Sequence, residues 1–188
     1  MGVFKEVKFV ETDYIYADTN VFLNFLGYND NMSMNRDCKE LFSKAYNANA
    51  PIVLSRVAID EIKKVLILSE FERNEYKGDR AIKNLHKKDP KQFNKILGQA
   101  LNICDDYERR LKSNEAILDE IVTPDNETYK ERDELMRNQN LFGVQDATHL
   151  AIAKQYGINY FATCDSDFSN VNIPGITILY NEAHKSKE

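Results

Sequence analysis

Four short apolar runs, each closed by polar or turn residues and each separated from the next by helical periodicity, restrict the chain to a parallel-sheet architecture. The runs are 14–17 (YIYA), 52–54 (IVL), 159–163 (NYFAT) and 176–180 (ITILY), rich in the β-branched and aromatic side chains of buried strands. A weaker fifth, 120–123 (EIVT), is stopped by Pro124. Helical patterns cover 19–26, ending at Gly27, and 33–48, with Cys38, Leu41, Phe42 and Ala45 on one face. Ser55 is placed to cap a helix over 57–71 that carries the stripe Ile59, Ile62 and Leu66. Further helices are expected over 126–137 and 146–156, the latter with Gly157 at C′. Strands alternating with helices need crossover connections, hence a mainly parallel sheet covered on both faces.

The 188 residues suit one domain, taken as 1–188. Within it, 72–119 forms a polar helical insertion of two segments, broken near Asp89-Pro90. Hydrophobic residues at 43% and charged ones at 29% exclude a disordered chain. No apolar run approaches the roughly 20 residues that span a bilayer, and the start MGVFKEVKFVETD lacks a secretory h-region, so the expected location is the cytoplasm and no membrane partner is expected. Cys38, Cys104 and Cys164 are too few and too scattered for a disulfide framework or a C-x-x-C site. The net charge of −5 argues against coating nucleic acid by bulk charge.

Ligands of such sheets collect beyond the carboxyl ends of the strands, and there the chain places acids. Asp18 ends the run YIYA, while Asp165 and Asp167 follow NYFAT. Asp146 opens the helix that leads into that same strand, where the helix dipole favours a negative charge. Glu61 stands about 9 Å along its helix from Ser55, at about 1.5 Å per residue. Like charges about 4 Å apart repel by about 4 kcal/mol at an effective dielectric of about 20, against a total stability of about 5–15 kcal/mol. A cluster of these acids therefore calls for a cation, and oxygen donors suit Mg2+ or Mn2+. Such an ion lowers the pKa of a bound water and stabilises charge on a phosphoryl oxygen, the chemistry of phosphodiester hydrolysis.

The series Asp18-Thr19-Asn20 after a strand, Ser55 followed by Glu61 in IVLSRVAIDEI, Asp146 in QDATHLAIAKQYG, and Thr163-Cys164-Asp165-Ser166-Asp167-Phe168 resembles the PIN-domain nucleases, a group that includes VapC-type toxins. The resemblance covers about 12–72 and 117–180. It implies a three-layer α/β/α fold with a five-stranded parallel sheet of order 3-2-1-4-5, and metal-dependent cleavage of an RNA substrate. Carried over, it makes Asp18, Glu61, Asp146 and Asp165 the acidic quartet, with Asp18, Asp146 and Asp165 on the metal and Asp167 auxiliary. Asn20 and Thr163 match polar positions that orient the carboxylates. Toxin members add an antitoxin protein as partner, and homodimers are common in the group.

Each residue has a plainer reading. Asp18 and Asp146 also suit N-caps, Asp165 and Asp167 suit a turn before Pro174, and Asp60 competes with Glu61 one residue along the helix. His149 is expected to be a surface or packing histidine rather than a general base, and Cys164 a small buried residue. The basic run Lys83, His86, Lys87, Lys88 and Lys91, with Arg109, Arg110 and Lys112, is either a solvated helical face or a track for the RNA backbone. Two other functions compete with the toxin ribonuclease: a housekeeping RNA-processing nuclease, and a catalytically silent PIN-like module that binds RNA or protein.

Overall fold

The computed structural model describes residues 2–4, 6–28, 30–118, 121–139 and 143–181. The chain divides into two compact units, Met1–Ala58 with Asn114–Glu188, and Ile59–Ser113.

The first unit is built on a sheet with β2 (Ile15–Ala17) between β3 (Ile52–Val53) and β4 (Tyr160–Thr163). Beyond β4 lies β5 (Thr177–Tyr180), and beyond that β1 (Gly2–Val3). Every pairing is parallel, with Ile15 opposite both Ile52 and Tyr160. Parallel neighbours cannot be joined by a tight turn, so α1 (Thr19–Phe25) and α2 (Met32–Asn47) carry the chain from β2 to β3. The return to β4 ends with α6 (Asn126–Gln139) and α7 (Val144–Gln155). Gly157, at φ 63°, turns the end of α7 into β4.

The expected strand at 120–123 is reduced. Glu120 lies outside the described residues, and Val122 makes only an isolated parallel bridge with Ser55, beside another between Ile117 and Ile52. Val122 still donates its N–H to Leu54 O at 3.1 Å and accepts from Arg56 N at 2.8 Å. Pro124, without an amide hydrogen, stops the ladder from growing further. The order 3-2-1-4-5 is thus kept with its third member cut to bridges, while β1 adds a strand at the opposite edge. The α/β/α class stands.

Burial explains the layers. All residues from Ala147 to Ala153 of α7 are buried, the condition of a helix inside a core rather than on a surface. It packs in one cluster with Tyr16, Val53, Phe161, Phe168 and Ile178, and the Tyr16 and Phe161 rings stack at 5.4 Å. Side chains alternate along a strand, so Ile15 and Ala17 point to the other face, where they too are fully buried. A sheet dry on both faces needs helices on both. Phe42 of α2 meets Phe22 edge-on and stacks on Phe25 of α1 at 3.9 Å.

The helix α3 (Arg56–Arg73) starts under the cap of Ser55, whose Oγ accepts from Ala58 N at 3.1 Å. Within Ile59–Ser113 it is followed by α4 (Gly78–Lys88) and α5 (Pro90–Lys112). The break falls at Asp89, because the residue before a proline is driven out of the helical region; Asp89 then caps α5 by accepting from Gln92 N at 3.0 Å. Phe71, Leu85 and Ile96 form the small core of this unit. The basic run from Lys83 to Lys91 and Arg109, Arg110 and Lys112 are exposed. Arg109 pairs with Asp106 at 2.9 Å, Lys112 with Glu108 at 2.6 Å, and Arg110 lies over Tyr107. That end of the run is a solvated helical face whose charges are met on their own helix.

Glu108 also meets Lys63 at 2.6 Å, and hydrogen bonds from Lys112 and Lys63 hold its carboxyl down at about 2. A folded-state pKa below the unfolded one stabilises the fold above the ordinary carboxylate range, and that contribution disappears as pH falls through the folded value. Thermal unfolding should therefore show the melting temperature of the wild type dropping between about pH 5 and pH 2 more steeply than that of Glu108→Gln. Parallel curves would contradict the assignment.

Candidate active site

Asp18 is the residue at which β2 becomes α1. Its backbone is extended (φ −67°, ψ 158°), its N–H continues the ladder to Ala162 O at 2.9 Å, and its carbonyl accepts from Val21 N, the first bond of the helix. The side chain caps that helix, with Oδ1 accepting from Thr19 N at 2.6 Å. The cap is only half of its role here. Oδ2 accepts from the hydroxyl of Thr163 at 3.0 Å, and the residue is 5% exposed. A buried carboxylate needs such partners.

Thr163, fully buried at the end of β4, is the junction. Its Oγ1 donates to Asp18 and accepts from the backbone N–H of Asp165 at 3.0 Å. One hydroxyl therefore ties the Asp18 carboxylate to the first acidic residue after the neighbouring strand. Asp165 is half-buried and caps a 3-10 helix at Ser166–Asn170, its Oδ1 accepting from Asp167 N at 2.9 Å. The turn-forming reading and the acidic-site reading of Asp165 thus describe the same residue. Asp167 is exposed, and the amide bonded to Asp165 is its own. Nearby, burial and the Asp165 carboxylate push the Tyr180 phenol above its ordinary value.

Asp146 does not cap α7. The helix starts two residues earlier than expected, at Val144, with Gly143 in the capping position and Asp146 half-buried in the first turn. Gly143 is there for space: a Cβ on it would lie 2.0 Å from Asp146 Oδ2. His149 follows Asp146 by three residues and so shares its face of the helix. It is a packing histidine, 1% exposed, with Nδ1 at 2.6 Å from Tyr16 Oη and Nε2 at 3.8 Å from Asp18 Oδ1. The face that carries Asp146 is therefore turned toward Asp18.

Asn20, Glu61 and Cys164 remain. The contact Asn20 makes is through its backbone carbonyl, which accepts from Asn24 Nδ2 at 2.7 Å. Glu61 belongs to the second unit, in the second turn of α3. It is half-buried where Asp60 is exposed, and the buried Ile59 and Ile62 flank both. Cys164 is a buried small residue as expected, with Sγ 3.9 Å from Cys38 Sγ and within reach of the Asn24 and Asn181 amides. Contact with Cys164 and burial drive the Cys38 thiol far up. Both cysteines are buried among core residues. Sequence reasoning missed the hydroxyl of Tyr16, which lies 2.6 Å from that of the capping Ser55. The signal was available in a tyrosine two residues before Asp18, on the strand face that meets α7.

Replacing Thr163 by valine keeps shape and removes both hydrogen bonds, taking one partner from a buried carboxylate oxygen and one from an amide. Thermal or urea unfolding should register a loss of about 1–3 kcal/mol; a neutral substitution would mean that Thr163 is not the junction.

The family model for the PIN domain matches residues 15–174. No curated protein matches the chain. Among solved structures, the chain is similar to one in the crystal structure of VapBC2 from Rickettsia felis bound to a DNA fragment from their promoter. The TM-score is 0.49 and the identity 14%, over 89% of this chain and 98% of that one. On the family match, which takes in all four strand-end and helix motifs, the chain belongs to the PIN-domain family of nucleases.

Proposed function

We propose that the chain is a divalent-metal-dependent endoribonuclease whose metal is held by Asp18, Asp146 and Asp165. The observation that carries this reading is the buried Asp18 carboxylate, fixed by Thr163 beside the amide of Asp165 at the carboxyl end of a parallel sheet. The donor set fits a hard cation. Oxygen atoms of three carboxylates suit Mg2+ or Mn2+, and Cys164 Sγ, next in sequence to Asp165, is turned toward Cys38 and two asparagine amides. When bound, such an ion supplies the positive charge that makes water a better nucleophile and relieves charge on the phosphoryl oxygens.

The rest falls to the protein. Thr19 N and Thr163 Oγ1 hold the two Asp18 oxygens in place before any ion arrives, so that reorganisation is small. Asp165 is oriented by its own cap on Asp167 N, and Asp146 by the room Gly143 leaves. We assign the fourth acidic role, completing the ligand shell or orienting the attacking water, to Glu61 rather than Asp60, on its half-burial. Asp167 is an auxiliary acid. RNA, rather than DNA, is the substrate that the motif resemblance favours. A toxin role, with an antitoxin protein as partner and a homodimeric toxin, is adopted if expression arrests growth and a small protein co-purifies.

Cleavage of single-stranded RNA with Mg2+ or Mn2+ should stop on addition of EDTA, and Asp18→Asn should lose at least about 100-fold. Equal rates with and without EDTA, or full activity in Asp18→Asn, would end the reading. Gly143→Ala separates geometry from stability. Its backbone (φ −75°, ψ 111°) accepts alanine, and the Asp146 carboxyl, whose Oδ2 and Cγ would lie 2.0 and 2.8 Å from the new Cβ, must turn aside. Melting should hold or rise by the equivalent of about 0.4–1 kcal/mol, while the cleavage rate falls about tenfold or more.

A further inference from the structure

Residues 77–95 carry seven Lys and Arg against two Asp, a local charge of +5 in a chain whose net charge is −5. On α4, Arg80, Lys83 and Lys87 recur at i, i+3 and i+7, and at about 100° per residue they share the face opposite the buried Leu85. Lys91 and Lys95 stand at i and i+4 on α5, away from the side that carries Phe93, Ile96 and Ala100. All five are exposed, so both stripes face away from the small core of this unit. Like charges at i and i+4, as in Lys83 with Lys87 and Lys91 with Lys95, destabilise a helix. Among the described residues none of the five stands in an ion pair, and one of the two acids, Asp89, has its carboxylate engaged in the cap of α5. Elsewhere in the same unit the pattern is the reverse: Lys63, Arg73, Arg109 and Lys112 each meet a carboxylate at 2.6–3.5 Å.

We propose that the outer face of the α4–α5 pair binds single-stranded RNA, its Lys and Arg side chains following the phosphate backbone without reading sequence. A polyanion supplies the counter-charges that the two helices omit, and each cation set on a phosphate releases a condensed counterion. Such contacts fix a strand's position rather than select its bases. A ring among the cations favours a nucleic acid over other polyanions. His86 is exposed one turn from Lys83, tilted against Phe93 at 4.7 Å between centroids, and a base stacks on such a ring whatever its identity. That the bound strand is also the substrate rests on the nuclease reading; the binding itself does not.

The test is fluorescence anisotropy of a labelled oligouridine with the full chain, in EDTA to prevent cleavage, over a series of KCl concentrations. In the triple variant Lys83→Gln, Lys87→Gln, Lys91→Gln, whose glutamines suit a helix, affinity at low salt should fall about tenfold or more. The log–log salt slope should become shallower by about 2, at about 0.7 per phosphate contact on a single strand. Unchanged affinity and slope would overturn the proposal, and so would an equal loss in the control Arg109→Gln, Arg110→Gln at the far end of α5. An abasic strand of the same length should bind the wild type at least about fivefold more weakly, with that difference lost in His86→Ala. Equal binding of the two strands by the wild type, or a difference undiminished in His86→Ala, would overturn the assignment of a nucleic acid to this face. Capture of phosphatidylserine vesicles without capture of RNA would overturn it as well. If the wild type binds RNA but cleaves none when Mn2+ replaces EDTA, the nuclease reading fails and the binding face stands.

Discussion

Thr163 accepts one hydrogen bond and donates another, and through that hydroxyl the ends of two parallel strands are locked together around a carboxylate. Without it Asp18 would be a buried charge with one partner fewer, and the Asp165 amide would lack its acceptor. Desolvating a carboxylate is tolerated only where hydrogen bonds or opposite charge replace the lost water. The remaining acids depend on this anchor. In the proposed reading, Asp146 and Asp165 join a cation whose first carboxylate, Asp18, is already held in a fixed direction.

The sheet supplies the directions. Parallel pairing of β2 with β4 puts both strand ends on one edge, and crossover helices then start from that edge with their N–H groups pointing at it. In the proposed reading, α7 contributes the third acid, Asp146, from another part of the chain. Because that helix is buried from Ala147 to Ala153, it has little freedom to rotate, and Asp146 and His149 are presented at fixed positions along one face. The polar chain Ser55–Tyr16–His149 crosses the same core cluster that holds Phe161 and Ile178. A fully satisfied polar network in a close-packed interior costs little and specifies one arrangement. The hydroxyls therefore act as spacers between hydrophobic packing and the acids.

Much of this was legible in the residues. Apolar runs closed by polar residues located β2, β3, β4 and β5 because buried parallel strands need no alternation. Asp89-Pro90 marked the break between α4 and α5 because proline acts on its predecessor whatever the tertiary context. The places of Asp18 and Asp165 beyond strand ends were legible because each closely follows an apolar run. Three features were not. Val122 forms a bridge rather than a strand, since two hydrogen bonds to the β3 segment are a tertiary outcome that local propensity does not encode. The start of α7 at Val144 was hidden because Gly143 caps it without a side chain. The hydrogen-bond chain through the buried His149 was hidden because Tyr16 and Ser55 are 133 and 94 residues away from it in sequence, and a chain of that span leaves no periodic trace.

The account stands or falls on whether the acids bind a divalent ion. Calorimetric titration of the full chain with Mn2+, run beside Asp18→Asn, tests this without assuming a substrate. Saturable binding in the wild type, accompanied by a rise in melting temperature as ligand stabilises the native state, and its loss in the variant, is the result the account predicts. No heat and no thermal stabilisation in the wild type would contradict it, and would leave a PIN fold that binds partners without chemistry.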